Sequence, residues 1–128
     1  MAKHNTIGKE GEEIARKYLE NKGYKIIEQN YRTKRAEIDI IAHLRRGLCG
    51  RSKSTLVFVE VRTKRREHYG TPEETIDYKK RMRLKRNAAA YIHRKKHNGP
   101  YRIDAMCLVI DENEGLRRID HYENIVED

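Results

Sequence analysis

Two stretches decide the fold of this chain: Ala36-Glu37-Ile38-Asp39-Ile40-Ile41-Ala42 and Leu56-Val57-Phe58-Val59-Glu60-Val61-Arg62. Both are rich in Ile and Val, which favour β-strands. Over part of their length they are apolar on both faces. Strands of this kind lie at the centre of a sheet that helices cover on both sides.

The remaining elements follow from periodicity and turn chemistry. Apolar residues recur at helical spacing over 6–22, and Gly23 stands where a C-terminal glycine cap would lie. Thr71-Pro72-Glu73-Glu74 has the residues of a capping box, so the second helix is predicted to run from there toward His93. Strands are predicted over 24–31, 36–43, 55–62, 102–110 and 116–122, with a loop over 44–54. The predicted fold class is α/β, with one mixed central sheet flanked by helices.

Carboxylates interrupt the two central strands. If these strands form a hairpin centred near residue 49, Asp39 lies beside Glu60 and Glu37 lies beside Arg62. Residues two apart share a face of a strand. The opposite face would then hold Ile38, Ile40, Val59 and Val61. Two neighbouring carboxylates repel each other unless a cation lies between them. Oxygen ligands on strands suit Mg²⁺ or Mn²⁺.

A structural explanation of the same pattern stays open. Arg62 would then neutralise Glu37 and Glu60 in a salt-bridge cluster. Glu12 borders the buried stripe of the first helix, where it either faces Asp39 and Glu60 or is an ordinary boundary residue. Gly8 and Gly11 on that helix would allow a close approach to the sheet.

Length and composition fit one small basic domain, residues 1–128, with a formal net charge of +9. No apolar run approaches the ~20 residues of a membrane-spanning helix. Two isolated cysteines, Cys49 and Cys107, fit a reduced, cytoplasmic setting. The positive charge is concentrated in residues 32–102, whereas residues 103–128 are acidic. The basic middle predicts a polyanionic partner.

The motifs together resemble a known family. Besides the two strands, the resemblance lies in Gly8-Lys9-Glu10-Gly11-Glu12, Asn30-Tyr31-Arg32, Tyr69-Gly70 and Arg102-Ile103-Asp104. Over nearly its whole length the chain resembles the YraN-like uncharacterised proteins. That family is similar to the PD-(D/E)xK nuclease superfamily, which includes Holliday-junction resolvases and has a restriction endonuclease-like core. The core order is helix, three antiparallel strands, helix and strand, as predicted here.

The resemblance implies a role for each candidate residue. Asp39, Glu60 and the Val61 carbonyl would hold Mg²⁺ or Mn²⁺, with Glu12 as a ligand directly or through water. Arg62 stands where the superfamily usually has Lys, and because Arg stays protonated it would act electrostatically rather than as a base. The implied activity is metal-dependent cleavage of DNA, with selection by structure rather than sequence.

Basic residues near the strand ends and on the second helix are the candidate nucleic-acid contacts: Arg32, Lys64, Arg65, Arg66, Lys80 and Arg83. Residues 79–86 alone hold six basic side chains. The alternative function is a nucleic-acid-binding protein that keeps the nuclease fold without catalysis. A weaker option is an interaction module that uses the acidic tail, residues 123–128, to contact a basic partner or to shield its own basic face. A homodimer would suit a cut in two strands. His43 is expected near the site, and Tyr91 in the core.

Overall fold

The computed structural model describes residues 2–46, 53–67 and 70–126. Its elements are α1 (Ala2–Asn21), β1 (Tyr24–Arg32), β2 (Glu37–Arg46), β3 (Lys53–Lys64), a 3₁₀ turn (Glu73–Thr75), α2 (Tyr78–Lys95), β4 (Tyr101–Asp111) and β5 (Gly115–Tyr122). Cys49, one of the two cysteines, and Tyr69, part of the Tyr69-Gly70 motif, lie outside the described residues.

The five strands form one sheet in the order β1-β2-β3-β4-β5. The first three strands are antiparallel, β4 runs parallel to β3 after the α2 crossover, and β5 returns antiparallel to β4. The predicted fold class is confirmed: a mixed sheet flanked by two helices, compatible with a restriction endonuclease-like core.

Each face of the sheet is covered by one helix. On one face, Ala15 and Leu19 of α1 pack in a buried cluster that includes Ile40, Val59 and Met106. On the other face, α2 contributes to a second cluster, which contains Leu84, Ala88, Tyr91, Ile41, Phe58 and Ile103. The double coverage explains why the central strands are apolar on both sides. Tyr91 lies in the core, as predicted.

The β2–β3 hairpin has the predicted register. Ile40 lies opposite Val59, and the pairing continues to Arg46 opposite Lys53. The predicted loop over 44–54 is therefore too long, because both strands extend into it.

The predicted face of Ile38 is wrong. Ile38 packs in the cluster on the α2 face, whereas Ile40 packs on the α1 face. The alternation breaks at Asp39, whose Oδ2 accepts a hydrogen bond from the Val61 N–H at 2.8 Å. Just beyond the Ile40–Val59 pair, the Val61 N–H is thus bonded to the side chain of Asp39.

The predicted start of the second helix is also wrong. The capping box forms, with the Glu74 N–H donating to Thr71 Oγ1 at 3.2 Å and the Thr71 N–H donating to Glu74 Oε2 at 3.3 Å. It closes only a 3₁₀ turn, because Ile76 leaves helical geometry at φ −101° and ψ 70°. α2 begins after a second cap, Asp77, whose side chain accepts from the Lys80 N–H.

Helix α1 meets the sheet closely at one glycine. A Cβ on Gly11 would lie 2.0 Å from Thr63 Oγ1, so only glycine fits there. The expectation for Gly8 is wrong, since a Cβ at that position would meet nothing within 4 Å. Among the residues that the structure describes, no helix is both long and apolar enough to cross a membrane.

Candidate active site

A polar cleft of about 730 Å³ opens beside the carboxylates of β2 and β3. The turn between β1 and β2, the end of β3, one side of α1 and the first turns of α2 all contribute to its lining. It brings together most of the predicted site residues: Glu12, Arg32, Asp39, Glu60, Val61, Arg62, Lys80 and Arg83.

Asp39 and Glu60 form the floor of the cleft. The Glu60 side chain is only 6% exposed. Burial, then the neighbouring Glu60 carboxylate, raise the pKa of Asp39 to about 7, against the opposing hydrogen bond from the Val61 N–H. The two carboxylates therefore repel each other, and a positive charge beside them would relieve this repulsion.

Glu12 reaches the cleft from α1. Burial raises the pKa of Glu12, and the carboxylates of Glu60 and Glu37 raise it further, whereas a hydrogen bond from Asn30 lowers it. The Glu12 carboxylate also contributes to the raised pKa of Asp39. The three acids that the sequence singled out thus share one electrostatic site.

Two cations face the Glu60 carboxylate. Lys80 Nζ lies 3.1 Å from Glu60 Oε2, and Arg62 Nη1 lies 3.4 Å from the same oxygen. The salt-bridge explanation therefore holds for Arg62 with Glu60. It is wrong for Glu37, which pairs instead with the exposed Arg32 at 2.6 Å.

The described residues contain no group of three His, Cys, Asp or Glu side chains arranged to hold a metal ion. Two adjacent carboxylates beside an open polar cleft nevertheless fit Mg²⁺, which keeps several waters and binds through one or two carboxylates. They suit Zn²⁺ less well, because zinc sites are built mainly from His nitrogen and Cys sulfur ligands. The oxygen donors of the cleft are of the type that a hard cation prefers.

The basic candidates fall into two groups. Arg32, Lys80 and Arg83 line the cleft. Lys64, Arg65 and Arg66 are absent from the described lining, and Arg65 forms an ion pair with Glu112 in the β4–β5 turn. The structure adds Lys34 and Arg35, which the sequence analysis missed although they directly precede the Asp39 strand.

Two asparagines support the site and were also missed. Asn30 has a left-handed backbone, φ 51°, and hydrogen-bonds Glu12. An Asn between polar residues of a strand is a weak signal for that conformation. Asn87 is buried and donates from Nδ2 to the Glu37 carbonyl at 2.9 Å, which ties α2 to β2. No local pattern marks that contact. The expectation for His43 is wrong, because it lines a separate cavity with His97.

Residues 11–108 match the family described as Uncharacterised protein family UPF0102. The chain belongs to the UPF0102 family. The predicted resemblance to an uncharacterised family is thus confirmed. The region matched contains Glu12, Asp39, Glu60 and Lys80, so the whole floor of the cleft lies within the UPF0102 segment.

Relatives in the UPF0102 family match nearly end to end. A UPF0102 protein of Alkaliphilus metalliredigens is 42% identical over 121 residues, which cover 93% of this chain and 95% of the relative. One from Thermodesulfovibrio yellowstonii is 38% identical, with coverage of 92% and 93%. One from Porphyromonas gingivalis is 36% identical, with coverage of 97% and 86%.

Proposed function

We propose that this protein is a metal-dependent endonuclease that hydrolyses DNA phosphodiester bonds, selecting DNA by structure rather than by sequence. One observation carries the proposal: Asp39 and Glu60 converge on the floor of a polar cleft whose rim is basic. A carboxylate floor suits a divalent cation, and a basic rim suits the phosphates of a nucleic acid.

Asp39 and Glu60 would hold Mg²⁺ or Mn²⁺, with the Val61 carbonyl and Glu12 as further oxygen donors. A divalent ion in such a site supplies Lewis-acid activation of the phosphate and of a water molecule. Arg62 and Lys80 would donate hydrogen bonds toward the scissile phosphate and offset its charge. Arg62 acts only as a fixed cation, since guanidinium does not give up its proton.

The rim would hold the DNA backbone. Arg32, Lys34 and Arg35 lie at the β1–β2 turn, and Arg83 lies across the cleft on α2. Contacts of this type position a nucleic acid but do not identify bases. Substrate choice is therefore assigned to the shape of the DNA. The proposed compartment is the cytoplasm, where the buried thiol of Cys107 stays reduced.

The test is cleavage of branched, flapped, single-stranded and duplex DNA by purified protein with Mg²⁺ or Mn²⁺. Asp39→Asn and Glu60→Gln keep the side-chain shapes and remove the charges, so each is expected to abolish cleavage. Cleavage that survives both substitutions comes from a contaminant. Absence of cleavage by the unaltered protein on all four substrates overturns the enzymatic proposal.

A second candidate is a nucleic-acid-binding protein without catalysis. It is favoured by the pairing of Glu60 with two cations of the chain itself, Arg62 and Lys80. In that case DNA binding persists in Asp39→Asn, no substrate is cleaved, and Mn²⁺ does not bind. The DNA-binding surface would be the same basic rim.

A further inference from the structure

We propose that Lys80 is an exchangeable counter-ion of the carboxylate floor. Its ammonium neutralises Glu60 while no divalent cation is bound, is displaced when one binds, and then contacts a DNA phosphate. The exchange deepens the proposed function and rests on it, since both need a divalent cation at Asp39 and Glu60.

The position of Lys80 is the first support. Its Nζ lies 3.1 Å from Glu60 Oε2, and its side chain is 22% exposed, beside a carboxylate that is 6% exposed. The ammonium therefore takes up an oxygen that a metal at Glu60 would use. A divalent cation at this oxygen carries twice the charge of the Arg62 guanidinium that already shares it with Lys80, so it repels the ammonium more strongly and competes with this ion pair.

The difference between Lys80 and Arg62 is the second support. The Arg62 guanidinium is tied at a second point, because its Nε donates to Thr75 Oγ1 at 2.8 Å. Lysine carries a compact charge on a flexible four-carbon stem, which moves more easily than a guanidinium held at two points. The backbone of Lys80 is fixed, since its N–H donates to the Asp77 cap at 2.8 Å. Only the side chain needs to move.

The displaced ammonium can move to the basic rim of the same cleft. Lys80 lines the same cavity as Arg32 and Arg83, on the side from which a DNA backbone would approach. A divalent cation would thus change the site in two ways, by taking Glu60 and by releasing a positive charge to the rim. Metal and DNA would then bind cooperatively.

The experiment measures Mn²⁺ affinity of the full-length protein by calorimetry and electron paramagnetic resonance. Lys80→Met removes the charge at similar length, and Lys80→Arg keeps a charge. Lys79→Met is the matched control, since it removes one charge from the exposed neighbouring position. Lys80→Met is expected to bind Mn²⁺ roughly tenfold more tightly than the unaltered protein. Lys80→Arg keeps the competing charge and is expected to bind Mn²⁺ no more tightly than the unaltered protein, whereas Lys79→Met is expected to bind with unchanged affinity. Lys80→Gln replaces Lys80→Met if that variant fails to fold.

The outcomes separate the two proposals. If the unaltered protein binds Mn²⁺, Asp39→Asn abolishes that binding, and Lys80→Met binds no more tightly, the exchange is wrong and the nuclease proposal stands. If neither the unaltered protein nor Lys80→Met binds Mn²⁺, both proposals are wrong.

The phosphate contact has its own measurement, binding of a duplex DNA in Ca²⁺ at increasing salt. The slope of log K against log salt is negative, and loss of one phosphate contact decreases its magnitude by about 0.9. Lys80→Met is expected to show this decrease relative to Lys79→Met. Equal slopes overturn the phosphate contact.

Discussion

Arg62 and Thr75 are joined by a hydrogen bond from Nε to Oγ1 of 2.8 Å, which links the end of β3 to the 3₁₀ turn before α2. The same hydroxyl donates to the Pro72 carbonyl at 2.6 Å. Thr75 therefore fixes both the arginine of the site and the segment that precedes the second helix.

Replacing this hydroxyl is expected to destabilise the protein. Thr75→Val keeps the shape but removes one bond to a charged donor and one to a carbonyl, a loss of about 1–3 kcal/mol in the free energy of unfolding. Thr75→Ser keeps the hydroxyl and serves as the control. Urea denaturation of the two variants measures the difference, and equal stability would show that the hydroxyl is dispensable.

Asp39 predicts a pH dependence of stability in the metal-free protein. Its ordinary pKa of 3.8 rises to about 7 on folding, so the folded state binds the proton more tightly. The stability that Asp39 contributes is complete below about pH 4 and is lost as pH rises to about 7. The Asp39→Asn variant should not lose this contribution to stability as the pH rises. Thermal denaturation between pH 4 and pH 8 checks it, and parallel curves for the two proteins would refute it.

Gly11 and Gly8 offer a matched pair on α1. Gly11→Ala places a methyl group 2.0 Å from Thr63 Oγ1, so the helix must shift and the protein is expected to lose about 1–3 kcal/mol. Gly8→Ala meets nothing within 4 Å and is expected to gain about 0.5–1 kcal/mol from helix propensity. Chemical denaturation measures both. The double variant Gly11→Ala/Thr63→Ala should recover part of the loss.

Asp104 is a fully buried acid whose charge is compensated on several sides. Arg102 Nε and Nη2 each donate to it at 2.9 Å, His121 Nε2 lies 2.8 Å from Oδ2, and the Asn124 N–H donates at 2.9 Å. Asp104→Ala is expected to cost about 3–5 kcal/mol, because it leaves Arg102 without its main partner in the interior.

The partly exposed acid Asp120, which pairs with Arg118, is the control for Asp104. Asp120→Ala is expected to change stability by about 1 kcal/mol or less. Urea denaturation of both variants tests the contrast. A small effect of Asp104→Ala would mean that the interior network rearranges without it.

Asn30 is expected to set the protonation of Glu12. Its hydrogen bond lowers the pKa of Glu12, so loss of the amide in Asn30→Gly should raise that pKa. Glycine tolerates the left-handed backbone at φ 51°, whereas Asn30→Ala adds strain and should also reduce stability. Carboxyl NMR titration reports the pKa. An unchanged Glu12 titration in both variants would remove Asn30 from the site.

The sequence predicted much of this protein because the relevant signals are local. Alternation and β-branched residues identify the strands, and loop symmetry identifies the β2–β3 register that places Asp39 close to Glu60. The role of the acidic tail was left open by the sequence. Glu123 lies 3.5 Å from Arg102, and Ile125 and Val126 pack against the core, so the described part of the tail belongs to the domain.

At some positions the sequence allowed two local structures and did not show which one forms. The capping box at Thr71 and the Asp77 cap are both favourable helix starts, and α2 begins after the second because the backbone leaves helical geometry at Ile76. Ile38 packs on the α2 face beside Asp39, whose carboxylate accepts a hydrogen bond from the Val61 N–H of the neighbouring strand. That bond joins two strands, so the pattern of β2 alone does not predict it.

The sequence by itself determined the order of elements, the pairing of the central strands and the meeting of two carboxylates. These follow from the period of two along a strand and from the length of one hairpin. Only the tertiary structure decided which distant groups face that pair. Lys80 on α2 and Glu12 on α1 line the same cleft because the two helices dock on the two faces of one sheet, and Asn30 on β1 hydrogen-bonds Glu12 there. Docking depends on side-chain packing between elements far apart in the chain, and no local pattern encodes it.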